Sequence, residues 1–152
     1  MLALAVLLAM VPIEGPGYVS PAPELPVRVV TTYHATVEEC DDSPLTTADG
    51  TTWKATSIAN RRIAAVSQDL LWRNGGPVRF GDWLWVDVPD GQLAGLWRVH
   101  DTMWAGVQGY VDLLVPAGHN ACWRHEDVVV RHPEWCPVGA RVYHLLRGGD
   151  DD

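Results

Sequence analysis

The chain has 152 residues, with 19 acidic and 11 Lys or Arg side chains, a formal net charge of −8 at pH 7, and Lys54 as its single lysine. A chain of this length holds one domain around one core, and the acidic balance with no run of Lys or Arg argues against nucleic acid as the main ligand. Eight tryptophans against one phenylalanine, Phe80, are more than a small core needs, which points some of them toward a groove wall or a contact face.

Residues 1–13, MLALAVLLAMVPI, are continuously apolar, and Glu14-Gly15-Pro16-Gly17 ends the run. The run is short for a bilayer-spanning helix and has the length of a signal-peptide hydrophobic region, although no Lys or Arg precedes it. It reads as an export signal or weak membrane anchor, the alternative being a segment that docks on the domain or on a neighbour. Prolines at 16, 21, 23 and 26 make the following stretch an extended linker, so residues 1–26 stand apart from the domain.

From Val27 the pattern turns strand-like, and Val27–Tyr33 is rich in β-branched residues. Residues 38–50 are polar and turn-rich and read as a long loop. Ile58–Val66 leads into a second strand, and Ser67–Leu71 reads as a short helical turn capped by Ser67. Residues 81–88 alternate into a third strand closed by the turn Pro89-Asp90-Gly91, and Leu96–Asp101 and Tyr110–Val115 supply two more. The run Val128-Val129-Val130 lies in a further strand, Arg141–Leu146 reads as the last, and Asp150–Asp152 as a solvated end. Short strands with little helix predict a small, mainly β barrel or sandwich.

Three cysteines leave an odd count. Cys122 and Cys136 bracket a short segment and are expected to pair if the protein matures in an oxidising compartment, leaving Cys40 free. A zinc set can be assembled from Cys122, His125, His132 and Cys136, but it lacks the Cys-x-x-Cys knuckle, and no metal site is expected.

The most informative residues are Asp101 and Asp112, eleven positions apart in WRVHDTMWAGVQGYVDLLV. Val-His-Asp-Thr-Met reads as one strand ending at a carboxylate, and Tyr-Val-Asp-Leu-Leu-Val as a second with a carboxylate inside an apolar run. A carboxylate in such a run is expensive to bury unless it is paired or protonated. Two at neighbouring strand positions suggest a carboxyl cluster acting on a neutral, hydroxyl-rich substrate. Spacing alone favours a plainer reading, aspartates at strand ends that cap turns.

Taken in order, Thr32-Tyr33, Leu45–Thr51, Arg62–Leu71, Val78–Asp82, Val99–Met103 and Val111–Val115 resemble the Asp-Asp-Asp ("3D") domain family over residues 29–116. The chain looks closest to the short phage and bacterial members with Ala-x-Ser-x-Asp-Leu-Leu and Asp-Thr-Met. The family is similar to the catalytic barrel of membrane-bound lytic transglycosylase A and, more distantly, to rare lipoprotein A and the expansins. The resemblance implies a six-stranded double-psi β-barrel with short helical turns over residues 27–116, followed by a C-terminal extension over 117–152. Two departures stand out: Ser67 occupies the usual place of the first of the family's three aspartates, with Asp69 two residues later. Asp101-Thr102-Met103-Trp104 replaces the family's Asp-Thr-Gly-Gly.

The resemblance also implies non-hydrolytic cleavage of peptidoglycan glycan strands in the cell envelope or outside the cell, or in a virion, without a cofactor. Such an enzyme manages with one acid, because a hydroxyl of the substrate is the nucleophile; Asp112 fits that role. Asp101 would tune it and hold the sugar, with Asp69 a weaker third member. Tyr33, Thr47 and Thr102 are candidate hydrogen-bonding groups for the glycan, and Trp104 a stacking platform. Plainer roles stand beside these: Thr47 as a turn residue, Tyr33 as core, Trp104 as a cover, and His34, His100 and His119 as structural histidines. Two other functions remain open: a glycan-binding barrel without catalysis, which Ser67 favours, and a structural component of a phage particle or envelope assembly.

Overall fold

The computed structural model describes residues 24–119, 123–126 and 128–132. Within them the chain is mainly β. The strands are β1 (Val29–Tyr33), β2 (Ile63–Val66), β3 (Trp83–Asp87), β4 (Gly95–Thr102), β5 (Tyr110–Leu114), β6 (Arg124–Glu126) and β7 (Val129–Arg131), with single 3-10 turns at Ile58–Asn60, Gln68–Leu70 and Trp72–Asn74. One sheet carries them in the order β6-β1-β5-β2-β4-β3-β7. The β1–β5 and β2–β4 pairs are parallel, and the β1–β6, β2–β5, β3–β4 and β3–β7 pairs antiparallel.

The topology makes the sheet curl. Its two edge strands, β6 and β7, are nearly consecutive in sequence, and three residue steps of about 3.8 Å hold the Cα atoms of Glu126 and Val129 within about 11 Å. Seven flat strands about 4.8 Å apart would separate the edges by about 29 Å. The sheet therefore bends into a half-barrel. The segment before β1 helps to hold the curl, since the Leu25 amide donates to the Val130 carbonyl at 2.8 Å before the chain crosses to pair with β5.

Alternation along the strands sorts the side chains onto two faces. The concave face packs Val30, Ala64, Val66, Val99, Val111 and Leu113, each fully buried, with Leu84 and Val86 from β3 and Leu70, Leu71 and Val78 from the turns. The opposite face carries a smaller cluster, Tyr33, Ile63, Ala65 and Leu114, covered by Ile58 and half-buried Trp53 and Leu45 from the β1–β2 connection. Arg62, the one non-glycine residue with positive φ among those described, sends its guanidinium to the carbonyls of Gln92, Leu93, Ala94 and Leu96 and stacks 4.2 Å over Trp97. It ties the turn before β4 to the start of β2.

Several details differ from the sequence reading. Ile58–Asn60 is a 3-10 turn, and β2 starts only at Ile63. The stretch from Arg124 to His132 supplies two strands, β6 and β7, that form the two sheet edges, so the described residues hold seven strands, five of them within 27–116 where a six-stranded barrel was expected. Ser67 precedes its 3-10 turn but makes no side-chain cap; its buried hydroxyl accepts the Tyr110 amide at 2.9 Å instead. Among the described residues no helix is long and apolar enough to cross a membrane. The apolar N-terminal run, the Cys122–Cys136 pair, Trp135, the 141–146 strand and the acidic tail lie outside the described residues.

Candidate active site

Strand register brings the two aspartates together. Ala65 in the middle of the sheet is opposite Asp112 on β5 and opposite Asp101 on β4. Directly opposed residues share a face, so both carboxylates flank one small side chain. A register shift makes this possible: Ala64 is opposite Val99 while Ala65 is opposite Asp101, so His100 is the extra residue of a β-bulge. Without the bulge, His100 would lie opposite Ala65 and Asp101 would turn to the concave core. The methyl of Ala65 leaves a floor between the acids that a larger residue would fill.

The result is a groove of about 760 Å³ between the second face of the sheet and the β1–β2 connection. Tyr33, Ala65, Asp101, Thr102 and Asp112 form the sheet side, Glu39, Cys40, Asp41 and the stretch from Thr46 to Ala48 the loop side, and Met103 and Trp104 one rim. Trp104 is 71% exposed, and its ring lies where a Cβ on Gly106 would be, within 1.6–2.4 Å of ring carbons. Residue 106 must lack a side chain for the indole to lie there, and most of the Trp104 side chain is left toward solvent.

The acids differ in surroundings. Asp112 is pushed up to about 6, chiefly by burial between Thr31 and Ala65 on the groove face, with Glu39 and Asp101 adding like charge. Against this, the Thr31 hydroxyl donates to Asp112 Oδ1 at 2.8 Å across the β1–β5 pair. Asp101 is also raised by burial, and is held back by the amides of Thr102 and Ala48, which donate to its Oδ1 at 2.9 and 3.0 Å, and by the Tyr33 hydroxyl at 3.5 Å from Oδ2. Tyr33 itself is raised well above its ordinary value by burial and by the two carboxylates, so it stays a hydrogen-bond donor. Cys40 is raised too, first by burial, and its thiol donates to the His34 carbonyl at 3.4 Å.

A second network fixes the loop wall. His100, the bulged residue, sets Nδ1 2.6 Å from Asp49 Oδ2, while the Asp49 amide donates to the His100 carbonyl. Burial raises Asp49, but hydrogen bonds from the Thr51 amide, His100 and Thr47 outweigh it and leave the carboxyl below its ordinary value. Thr47, 5% exposed, donates to Asp49 Oδ1 at 2.8 Å and accepts the Trp53 indole N–H at 3.1 Å. Thr47 therefore fulfils its turn role while lining the groove. His34 reaches Glu39 Oε1 at 3.2 Å and the His119 carbonyl at 3.1 Å, anchoring Glu39 on the wall.

Of the sequence candidates, Asp101, Asp112, Tyr33, Thr47, Thr102 and Trp104 all border this groove. Thr102 points its hydroxyl at the Val66 carbonyl, 3.0 Å away, so it bonds the sheet. Asp69 is not brought there: both its oxygens face the Gly109 amide, at 3.1 and 3.3 Å. Gly109 has φ +70 and sits where a Cβ would come 3.0 Å from the Arg28 side chain, so this aspartate holds a turn that only glycine makes easily. Of the zinc candidates, His125 contacts the Glu126 carbonyl and His132 contacts Asp82, while the two cysteines lie outside the described residues. The sequence reading missed Thr31, Ala65, Glu39, the Ala48 amide and the Asp49–His100 pair. Strand register reveals Thr31 and Ala65, and the path of the β1–β2 connection over the sheet reveals the others.

Comparison of the chain with protein-family models, with curated proteins and with solved structures finds no match in any of the three.

Proposed function

We propose that the protein is a lytic-transglycosylase-like enzyme acting on peptidoglycan glycan strands, with Asp112 as its single general acid/base on a barrel of the 3D, double-psi type. The observation that carries the reading is the strand register that sets Asp101 and Asp112 on either side of Ala65 in a groove of about 760 Å³, where Asp112 is pushed up to about 6. Such a group still holds a proton at mildly acidic to near-neutral pH, where an ordinary aspartate of pKa about 3.9 would not. Two parallel strand pairs joined through the antiparallel β2–β5 pair support the double-psi reading.

In this mechanism Asp112 gives its proton to the glycosidic oxygen as the bond to the N-acetylmuramyl carbon breaks. The carboxylate then takes the proton of the same sugar's own hydroxyl, which closes onto that carbon and leaves an anhydro ring with no water consumed. One carboxyl thus serves where hydrolases use two at set separations. Thr31 pins one oxygen of Asp112, leaving the other to carry the mobile proton, while the negative charge of Asp101 favours protonated Asp112 and suits a developing oxocarbenium ion. The exposed indole of Trp104 suits a sugar ring. The reading fits a location in the envelope, outside the cell or on a virion.

A second reading, glycan binding without cleavage, draws on Ser67 and Asp69, whose side chains serve the Tyr110 and Gly109 amides and do not line the groove. Muropeptide mass spectrometry after incubation with peptidoglycan separates the two. Anhydro-muropeptides from the wild type support the enzyme, and binding to the polymer with no such product supports the second reading.

A further inference from the structure

The row of side chains that holds Asp112 continues past it. Arg124 on β6 is opposite Thr31, which is opposite Asp112, so Arg124, Thr31, Asp112, Ala65 and Asp101 form one line across five strands on one face. In the next row, Glu126, Val29 and Tyr110 share that face. Here lies a second concavity of about 540 Å³, lined by Arg28, Tyr110, Arg124 and Glu126 over an apolar floor of Val27, Val29 and Val128. Two strand spacings of about 4.8 Å put the β6 backbone about 10 Å from that of Asp112.

The two concavities have opposite polarity. The groove presents Glu39, Asp41, Asp101 and Asp112. The second presents two arginines to one glutamate in a chain whose net charge is −8. The Arg124 guanidinium lies 5.3 Å from the centroid of the Tyr110 ring and is oriented by Glu126 at 2.9 Å, while Arg28 is anchored to the Gln108 carbonyl at 2.8 Å. Both arginines are exposed. A substrate with a neutral sugar backbone and anionic branches would be repelled at the acidic groove by its branches. It is accommodated only if they point to the other side of Asp112.

We propose that Arg28, Tyr110 and Arg124 form a subsite for the carboxylate-bearing peptide branch of the glycan whose sugar occupies the Asp112 groove. This rests on the glycan reading of that groove and adds a substrate requirement: the strand must carry its peptide. A guanidinium pairs with a carboxylate through charge-assisted hydrogen bonds, and the Tyr110 ring and the valine floor suit the aliphatic part of a short peptide.

The test uses the Asp112→Asn protein, which cannot turn substrate over, and two phosphate-free probes: soluble glycan strands with their peptides, and the same strands after enzymatic removal of the peptides. The protein is expected to bind the peptide-bearing strands at least about 10-fold more tightly, with a preference that shrinks as salt rises. Adding Arg28→Gln and Arg124→Gln is expected to abolish the preference and leave binding to stripped strands unchanged, whereas Arg28→Lys with Arg124→Lys retains part of it. Equal binding of both probes, or a preference that survives the glutamine substitutions, overturns the subsite and leaves the glycan reading standing. Failure to bind either probe overturns both. The arginines are exposed, and a thermal melt matching the parent protein shows that the variants are folded.

Discussion

The two faces of the central strands are built from alternate residues of the same segments, yet they follow different rules. On β5, Val111 and Leu113 enter the concave core, fully buried, while Asp112 turns to the groove and Tyr110 to the neighbouring concavity, both half-buried. The core face is almost wholly apolar, with buried Thr32 on β1 as its polar exception, and gains by excluding water. The groove face accepts two carboxyls, because the β1–β2 connection covers it incompletely and supplies the Ala48 amide, while Tyr33 at the end of β1 adds its hydroxyl. Half-burial is the state in which a carboxyl is destabilised enough to hold a proton near neutrality but remains open to a ligand. Full burial would shut it off, and full exposure would return it to the ordinary range.

The largest effect expected from this contrast is on the groove face. Asp112→Asn preserves shape but cannot transfer a proton, so release of anhydro-muropeptides should fall by about 10²–10⁴-fold, the usual range for loss of a general acid/base. Thermal melting should show a folded protein of equal or higher stability. On the core face, Leu113→Ala should do the reverse, destabilising the fold by about 2–5 kcal/mol through transfer and cavity terms, with activity per folded molecule largely kept. Denaturant titration of both variants checks the pair. A contrast absent from the data would mean that the two faces are not separate in function.

A smaller effect appears in the pH dependence of stability. Asp112 has its folded value raised from 3.8 to about 6. Between those limits the unfolded chain has released the proton and the folded one keeps it, so stability falls as pH rises from about 4 to about 6 and then levels. A rise of about two units corresponds to about 3 kcal/mol, which Asp112→Asn should remove. Asp49 works in the opposite sense: its lowered value adds stability above the ordinary aspartate range, and that part is lost as pH falls through the folded value. Unfolding curves at stepped pH, with and without each substitution, separate the two slopes.

The smallest expected effect sharpens the account of Thr31. Its hydroxyl favours the ionised form of Asp112, so Thr31→Val should move the Asp112 titration, and the matching limb of any pH–rate profile, upward by about one unit. Thr31→Ser should restore it, whereas a purely structural role for the hydroxyl would leave the midpoint in place.

Much of the fold was legible because alternation and β-branched runs are local signals: Val29–Tyr33, Trp83–Asp87 and Tyr110–Leu114 all lie inside stretches that read as strands. The strand that carries Asp112 was legible for the same reason, although Val111 and Leu113, the apolar neighbours that singled it out, point to the opposite face. What could not be read was register. The Ala64/Ala65 shift that aims Asp101, the Thr31–Asp112 hydrogen bond across 81 residues, and the Asp49–His100 pair across 51 all come from long-range pairing, which leaves no local trace. Asp69 shows the converse. Its place near Ser67 suggested a third acid, but a helical turn directs it to Gly109. The surplus tryptophans divided as well: Trp97 is buried at 3% exposure, Trp104 is on the groove rim, and Trp72 and Trp85 lie on the outer surface.

The central claim is that the groove raises one carboxyl, Asp112, to about 6, so that it is half protonated there and keeps a protonated fraction toward neutral pH. A carbon-detected NMR titration of the aspartate side-chain carboxyls, with Asp112 assigned by its loss in Asp112→Asn, measures this without any assumption about substrate. A midpoint close to 6 for Asp112, with Asp49 below the ordinary aspartate value, is the expected result. An Asp112 midpoint at or below about 4, the value of an unperturbed aspartate, would contradict it and remove the acid from the proposed chemistry.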